Sequence, residues 1–181
     1  SGFRRRGYTP ESLNEFCHRA GVAKRERMNE YALLEYCIRQ DLEERAYRRM
    51  AVLNPVKVII ETFPENDTEY FDGPNHPAKP ELGMRSVPLT REIYIEREDF
   101  MEDPPKKFFR LGPGREVRLR YACYITCTGF TKDGEGEIQE IHATFDPESR
   151  GGSTPDGRKV KGTIHWVSAT KNRPLEVRNY E

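Results

Sequence analysis

One stretch concentrates the chemistry of this chain. Lys106-Lys107-Phe108-Phe109-Arg110-Leu111-Gly112-Pro113-Gly114-Arg115-Glu116-Val117-Arg118-Leu119-Arg120 carries six basic side chains and one acid, whereas the whole chain balances 30 Lys+Arg against 30 Asp+Glu. So local an excess implies a negative partner. Arginine presents a planar fork that matches phosphates and base edges, and unstacked RNA bases stack on aromatic rings such as Phe108 and Phe109. In an extended 116–121, Val117, Leu119 and Tyr121 point one way and Arg118 and Arg120 the other, with Glu116. Alternation lets only one of the two Phe face inward. The plain alternative is a solvated strand face. A pI near 6.9 excludes coating of nucleic acid by bulk charge, so any contact must come from a patch. No recognition-helix motif is present, which disfavours DNA.

Other chemistries find little support. There is no G-x-S-x-G elbow and no cysteine with a catalytic signature. His18, His76, His142 and His165 each have a structural home, and no D-x-D or H-E-x-x-H spacing points to a metal. Gly112, Gly114, Gly151 and Gly152 read as turns rather than phosphate cradles, and Pro113 removes an N–H that such a loop would use. Cys17, Cys37, Cys123 and Cys127 form no C-x-x-C pair and read as buried, reduced thiols of a cytosolic protein. Cys123 and Cys127 share a strand face, the inner one. No apolar run reaches the roughly 18 residues that span a bilayer, and no signal peptide opens the chain. An opening Ser-Gly-Phe without Met leads us to expect a chain processed or cut from something longer.

Two textures must position the basic stretch. Residues 1 to about 50 read as helix. Thr9-Pro10-Glu11 is a helix start, Leu13, Phe16, Cys17 and Ala20 form an apolar face, and Gly21 ends it. Asn29 caps a longer second helix with a stripe of Ala32, Leu33, Tyr36, Cys37 and Ala46. After Asn54-Pro55 the pattern alternates. Strands are expected from Val56 to Glu61 and over 91–96, 107–111, 116–129, 137–145, 160–168 and 175–180, with a hairpin turn at Asp133-Gly134 and Gly136. The Pro-rich 64–90 reads as a long functional loop. The expectation is an α+β chain: helical residues 1–54, then an antiparallel β-barrel or sandwich over 55–181.

Several blocks together resemble the glutaminyl-tRNA synthetase family of the bacterial type. They are Arg4-Arg5-Arg6-Gly7-Tyr8-Thr9-Pro10, Pro55-Val56-Lys57-Val58-Ile59-Ile60-Glu61, Pro74-Asn75-His76-Pro77, Arg91-Glu92-Ile93-Tyr94-Ile95-Glu96-Arg97 and the run from Asp156 through His165-Trp166-Val167-Ser168. The resemblance implies a helical connector over 1–54 and the proximal anticodon-binding, ribosomal-protein-like barrel over 55–181, lacking the segment that closes it. It implies a class I parent that joins glutamine to its tRNA with ATP and Mg²⁺. The His-Ile-Gly-His-type and Lys-Met-Ser-Lys-type motifs of that chemistry are absent here, so the piece alone is expected to be inactive and to bind no cofactor. By the same resemblance Arg48 reads the middle anticodon base, Arg110 the third and Arg118 the first. Pro77 lies near the anticodon, and Lys107 and Arg120 flank the surface. These side chains are expected to converge on one hollow. The implied partner is the anticodon stem-loop of the glutamine tRNA, with neither membrane nor DNA. The parent is expected to be monomeric and the piece to self-associate through an open edge or to have a disordered C-terminus. A general RNA-binding barrel, the glutamate-specific relative and a module binding an acidic protein remain the alternatives.

Overall fold

The computed structural model describes residues 2–22, 28 and 30–178. It is α+β, and it divides into two compact units, one ending at Arg48 and the other starting at Arg49.

The first unit holds α1 (Gly2–Arg5), α2 (Pro10–Ala20) and α3 (Tyr31–Arg45). The Thr9 hydroxyl accepts from the Ser12 N–H at 3.1 Å, and Gly21, at φ 73°, closes α2 with its N–H on the Cys17 carbonyl. That satisfies helix-end groups that would otherwise lack partners. Asn29, the expected cap of α3, lies outside the described residues; Glu30 holds the N-cap position. The buried side of α3 is Leu34 and Cys37, with Leu33, Ile38 and Asp41 half-buried, whereas Ala32 and Tyr36 are exposed. The face is rotated from the expected stripe because polar pairs tie α2 to α3. Thr9 donates to Asp41 at 2.8 Å, and Arg45 bridges Glu11 and Asp41 at 2.7 and 2.9 Å. Cys17 is exposed, unlike the other three cysteines. It was expected to be buried, but it falls on the outer side of α2.

The second unit is a curled, mostly antiparallel sheet of seven strands in the order β8-β5-β6-β7-β1-β4-β9. These are β1 (Pro55–Ile60), β4 (Glu92–Glu96), β5 (Glu116–Leu119), β6 (Tyr124–Lys132), β7 (Ile138–Asp146), β8 (Thr163–Ile164) and β9 (Val167–Ser168). β1 sits between β4 and β7, with Val58 opposite Ile93 on one side and Ile141 on the other. Every second residue of β1 is buried, the signature of a strand with one dry face. The expected turn joins β6 to β7: Gly136, at φ 88°, donates to the Asp133 carbonyl, and Asp133 Oδ1 accepts from the N–H groups of Glu135 and Glu137. Trp166 is fully buried between β8 and β9 in sequence. The short run Thr163–Ser168 therefore supplies both edges of the sheet: its first two residues pair with β5 and its last two with β4.

Five of these expectations are corrected. The span 116–129 is not one strand but β5 and the start of β6, turned at Arg120–Cys123, with the Ala122 N–H on the Leu119 carbonyl and Tyr121 at φ 73°. Segment 107–111 is a loop. Pro104 and Pro105 lack backbone donors, and the Arg115 guanidinium donates to the carbonyls of Phe108, Pro104 and Pro105 at 2.6, 2.8 and 3.4 Å, competing with any ladder. Residues 160–168 hold only the two short strands β8 and β9, and residues 175–178 form none, 179 and 180 lying outside the described residues. The fifth concerns the expected loop 64–90, which contains a second sheet, β2 (Glu69–Pro74) with β3 (Met84–Leu89). Its prolines hide it: a two-stranded ribbon leaves outer edges where a missing N–H costs nothing. Phe71, Val87 and Leu89 carry it into the core with Ile60, Ile95, Leu119 and Trp166.

Candidate nucleic-acid interface

The basic stretch begins in a loop and ends in a turn. Arg115, as described, spends its donors on loop carbonyls and stabilises the protein from within. Arg110 pairs with Asp99, whose side chain is 2% exposed against 50% for the arginine. A buried carboxylate needs such a partner, and Asp99 Oδ2 has no hydrogen-bond donor of its own. Arg110 therefore has one side bound to the core and the other in solvent.

Arg118 stands on β5, with Val117 and Leu119 buried on either side. Its Nη2 donates to the Gly151 carbonyl at 3.3 Å, and its Nε is buried without a partner. The loop carrying Gly151 is pinned to the β5–β6 turn. The Gly151 N–H donates to the Ala122 carbonyl at 2.8 Å, and the buried Ser149 hydroxyl accepts from the Tyr124 N–H at 2.7 Å. Gly152, at φ 83°, leaves room for the Arg118 guanidinium, and a Cβ there would collide with it. Arg120 lies in the turn. Its N–H donates to the Ile164 carbonyl at 3.0 Å and its carbonyl accepts from the Trp166 indole at 3.1 Å, while the side chain is exposed. Its backbone is fixed and its charge is in water.

Beside β5 runs Gly162, whose carbonyl accepts from the Arg118 N–H at 2.9 Å and which has no space for a Cβ against the Phe109 carbonyl. The loop with Lys107 and Phe109 is thereby laid along the segment that flanks Arg118. Phe109 is 51% exposed, Phe108 half-buried, and Lys161 Nζ lies 5.3 Å over the Phe109 ring. Lys107 is exposed in the turn before them. Pro77 is exposed in the β2–β3 connection, next to buried His76, whose Nδ1 accepts from the Ala78 N–H. Arg48 belongs to the first unit. It donates to the carbonyls of Glu43, Leu42 and Ala46 at 3.1, 3.3 and 3.4 Å, capping the negative end of α3.

In the second unit the Phe109 carbonyl and the Arg118 N–H both meet Gly162, Lys107 is exposed in the loop before Phe109, and Arg120 stands in the turn after β5. Glu116, expected beside the arginines, is neutralised by Arg158, which also pairs with Asp146 and with Asp156 at 3.0 Å. The Arg158 guanidinium, with the Glu148 N–H, holds the Asp146 carboxyl below its ordinary range. The Thr154 hydroxyl and Arg158 bring Asp156 down to about 2. Cys123 is no nucleophile: burial pushes its thiol up to about 12. Two residues escaped sequence reasoning. Lys161 could have been found from its place in a basic alternation, Arg158-Lys159-Val160-Lys161. Arg85 lies in a strand the prolines concealed.

A model of the anti-codon binding domain of class I tRNA synthetases (E and Q) matches residues 46–146. The chain is 54% identical over 180 residues to a glutamine–tRNA ligase of Bradyrhizobium diazoefficiens, covering 99% of this chain and 32% of that protein. It is 51% identical over 181 residues to a glutamine–tRNA ligase of Clostridium kluyveri, covering 100% and 33%. It is 56% identical over 181 residues to one of Vibrio parahaemolyticus, again covering 100% and 33%. The chain spans about a third of the length of the curated relatives it matches.

Proposed function

Because the chain belongs to the family of class I tRNA synthetases for glutamate and glutamine, through their anticodon-binding domain, we propose that it recognises the anticodon loop of the glutamine tRNA. The observation that carries the choice of glutamine is identity above 50% along almost the whole chain to proteins named glutamine–tRNA ligase. In this reading residues 1–54 are the helical connector and 55–181 the proximal, ribosomal-protein-like barrel. The protein it serves attaches glutamine with ATP and Mg²⁺ in the cytoplasm, as a monomer, and the 181 residues alone do not aminoacylate.

Arg118 and Arg120 offer forks to bases or phosphates, Phe109 a ring for stacking, and Lys107 a diffuse charge. Arg110 uses its solvent side, Pro77 borders the loop, and Arg48 acts from the first unit. Each lost Arg–base contact is expected to cost about 1–3 kcal/mol. The test is titration at fixed salt with a stem-loop bearing a glutamine anticodon, one bearing a glutamate anticodon and an unrelated stem-loop. Preference for the first supports the reading. Preference for the second favours the glutamate-specific relative, which the matching family also includes. Equal affinity for all three makes it a general RNA-binding barrel.

A further inference from the structure

Tyr121 is the one described residue other than glycine with a positive φ, 73°. A side chain in that region is strained, and such strain persists where the surroundings over-determine it. The surroundings are visible. Gly73 of β2 leaves the space the ring fills, since a Cβ there would lie 3.0 Å from Tyr121 Cδ2. Two guanidinium groups lie over the ring, Arg85 at 5.5 Å and Arg120 at 6.0 Å from its centroid. Arg85 comes from β3 of the two-stranded ribbon and Arg120 from the β5–β6 turn of the larger sheet, so one ring meets cations from two separate parts of the second unit.

Two like charges that share one ring repel, and an acidic partner for one of them would be the ordinary remedy. None is there: among the described residues neither arginine forms an ion pair, although Arg110, Arg150 and Arg158 all do. Arg85 gives one N–H to the Pro74 carbonyl at 2.6 Å and keeps its other donors. The tyrosine face offsets part of the repulsion; an anion would offset the rest. We propose that Arg85 and Arg120, spaced by Tyr121, form a phosphate-binding pair for the backbone of single-stranded RNA, with Tyr121 as its positioning residue. This rests on the reading that the second unit binds RNA. Phosphate contacts set register without reading sequence, so the pair would hold a loop in place while neighbouring groups read bases.

The experiment measures binding of two probes, a single-stranded oligouridylate and a glutamine-anticodon stem-loop, across a salt series. Arg85→Gln and Arg120→Gln are each expected to weaken both probes several-fold and to lower the salt slope by about 0.7. Arg150→Gln, whose side chain pairs with Glu69, is expected to change neither. Tyr121→Phe should bind as the parent does, and Tyr121→Leu, with both arginines present, should lose slope; melting curves report whether each variant is folded. If the parent binds and Arg85→Gln or Tyr121→Leu leaves affinity and slope unchanged, the pair is overturned while the RNA reading stands. If the parent binds neither probe, that reading falls and the pair with it.

Discussion

At the scale of single residues, positive charge does two jobs, and the sequence does not separate them. Arg110 and Arg120 look alike in a one-letter string, yet one neutralises buried Asp99 and the other stands in solvent. Removing Arg110 leaves a carboxylate buried and alone, so Arg110→Ala is expected to destabilise the protein by about 1–3 kcal/mol, softened by the arginine's exposure. Arg120→Ala should stay within about 0.5 kcal/mol. Chemical denaturation of both variants checks the contrast, and equal stabilities would refute the structural role of Arg110. Protonation acts at the same scale. Burial works to raise the Glu96 carboxyl, but the Leu53 and Asn54 N–H groups, at 2.7 and 2.9 Å, and nearby His165 bring it below its ordinary value. Asp146 and Asp156 are lowered by the partners already described. A depressed carboxyl stabilises the fold fully above its unfolded value, near 4, and loses that contribution as pH falls through its folded value. Stability should therefore be flat near neutrality and decline below about pH 4, with a shallower acid limb in Glu96→Gln.

Elements turn these side chains into a surface, and here the sequence was partly legible. Alternation predicted β1, β4 and β7 because each has one dry face, and Asp133 to Gly136 announced its turn by chemistry that acts within a few residues. The β5–β6 turn gave no such sign, because it places Tyr121 where glycine or asparagine is usual and relies on Gly73, far away in sequence. The β2–β3 ribbon was hidden by prolines that a two-stranded sheet tolerates. Arg118, Arg120 and Lys107 could be named from the string, Lys161 was within reach of it, and Arg85 required the fold. Gly152 ties element to site. With φ at 83° and the Arg118 guanidinium against it, Gly152→Ala should cost about 1 kcal/mol or more from backbone strain alone. It should also displace Arg118, so RNA affinity is expected to fall with stability. Melting and titration of the same variant test this, and unchanged affinity would detach Arg118 from binding.

Across the whole molecule, zero net charge has a consequence for binding. Many arginines are spent internally, so only a few cations face a partner. If about four phosphates are neutralised, the salt slope should be about 3. A slope twice as steep would mean that the ion pairs described here open on binding. The run Thr163–Ser168 sets a different limit. Its two ends fasten opposite margins of the same sheet, and Trp166 anchors the crossing between them. Two edges held by one short run do not fray independently. Trp166→Ala, expected to cost about 3–5 kcal/mol, should release amide protons on β4 and β5 together in deuterium exchange, coupling the two margins of the seven-stranded sheet through one side chain.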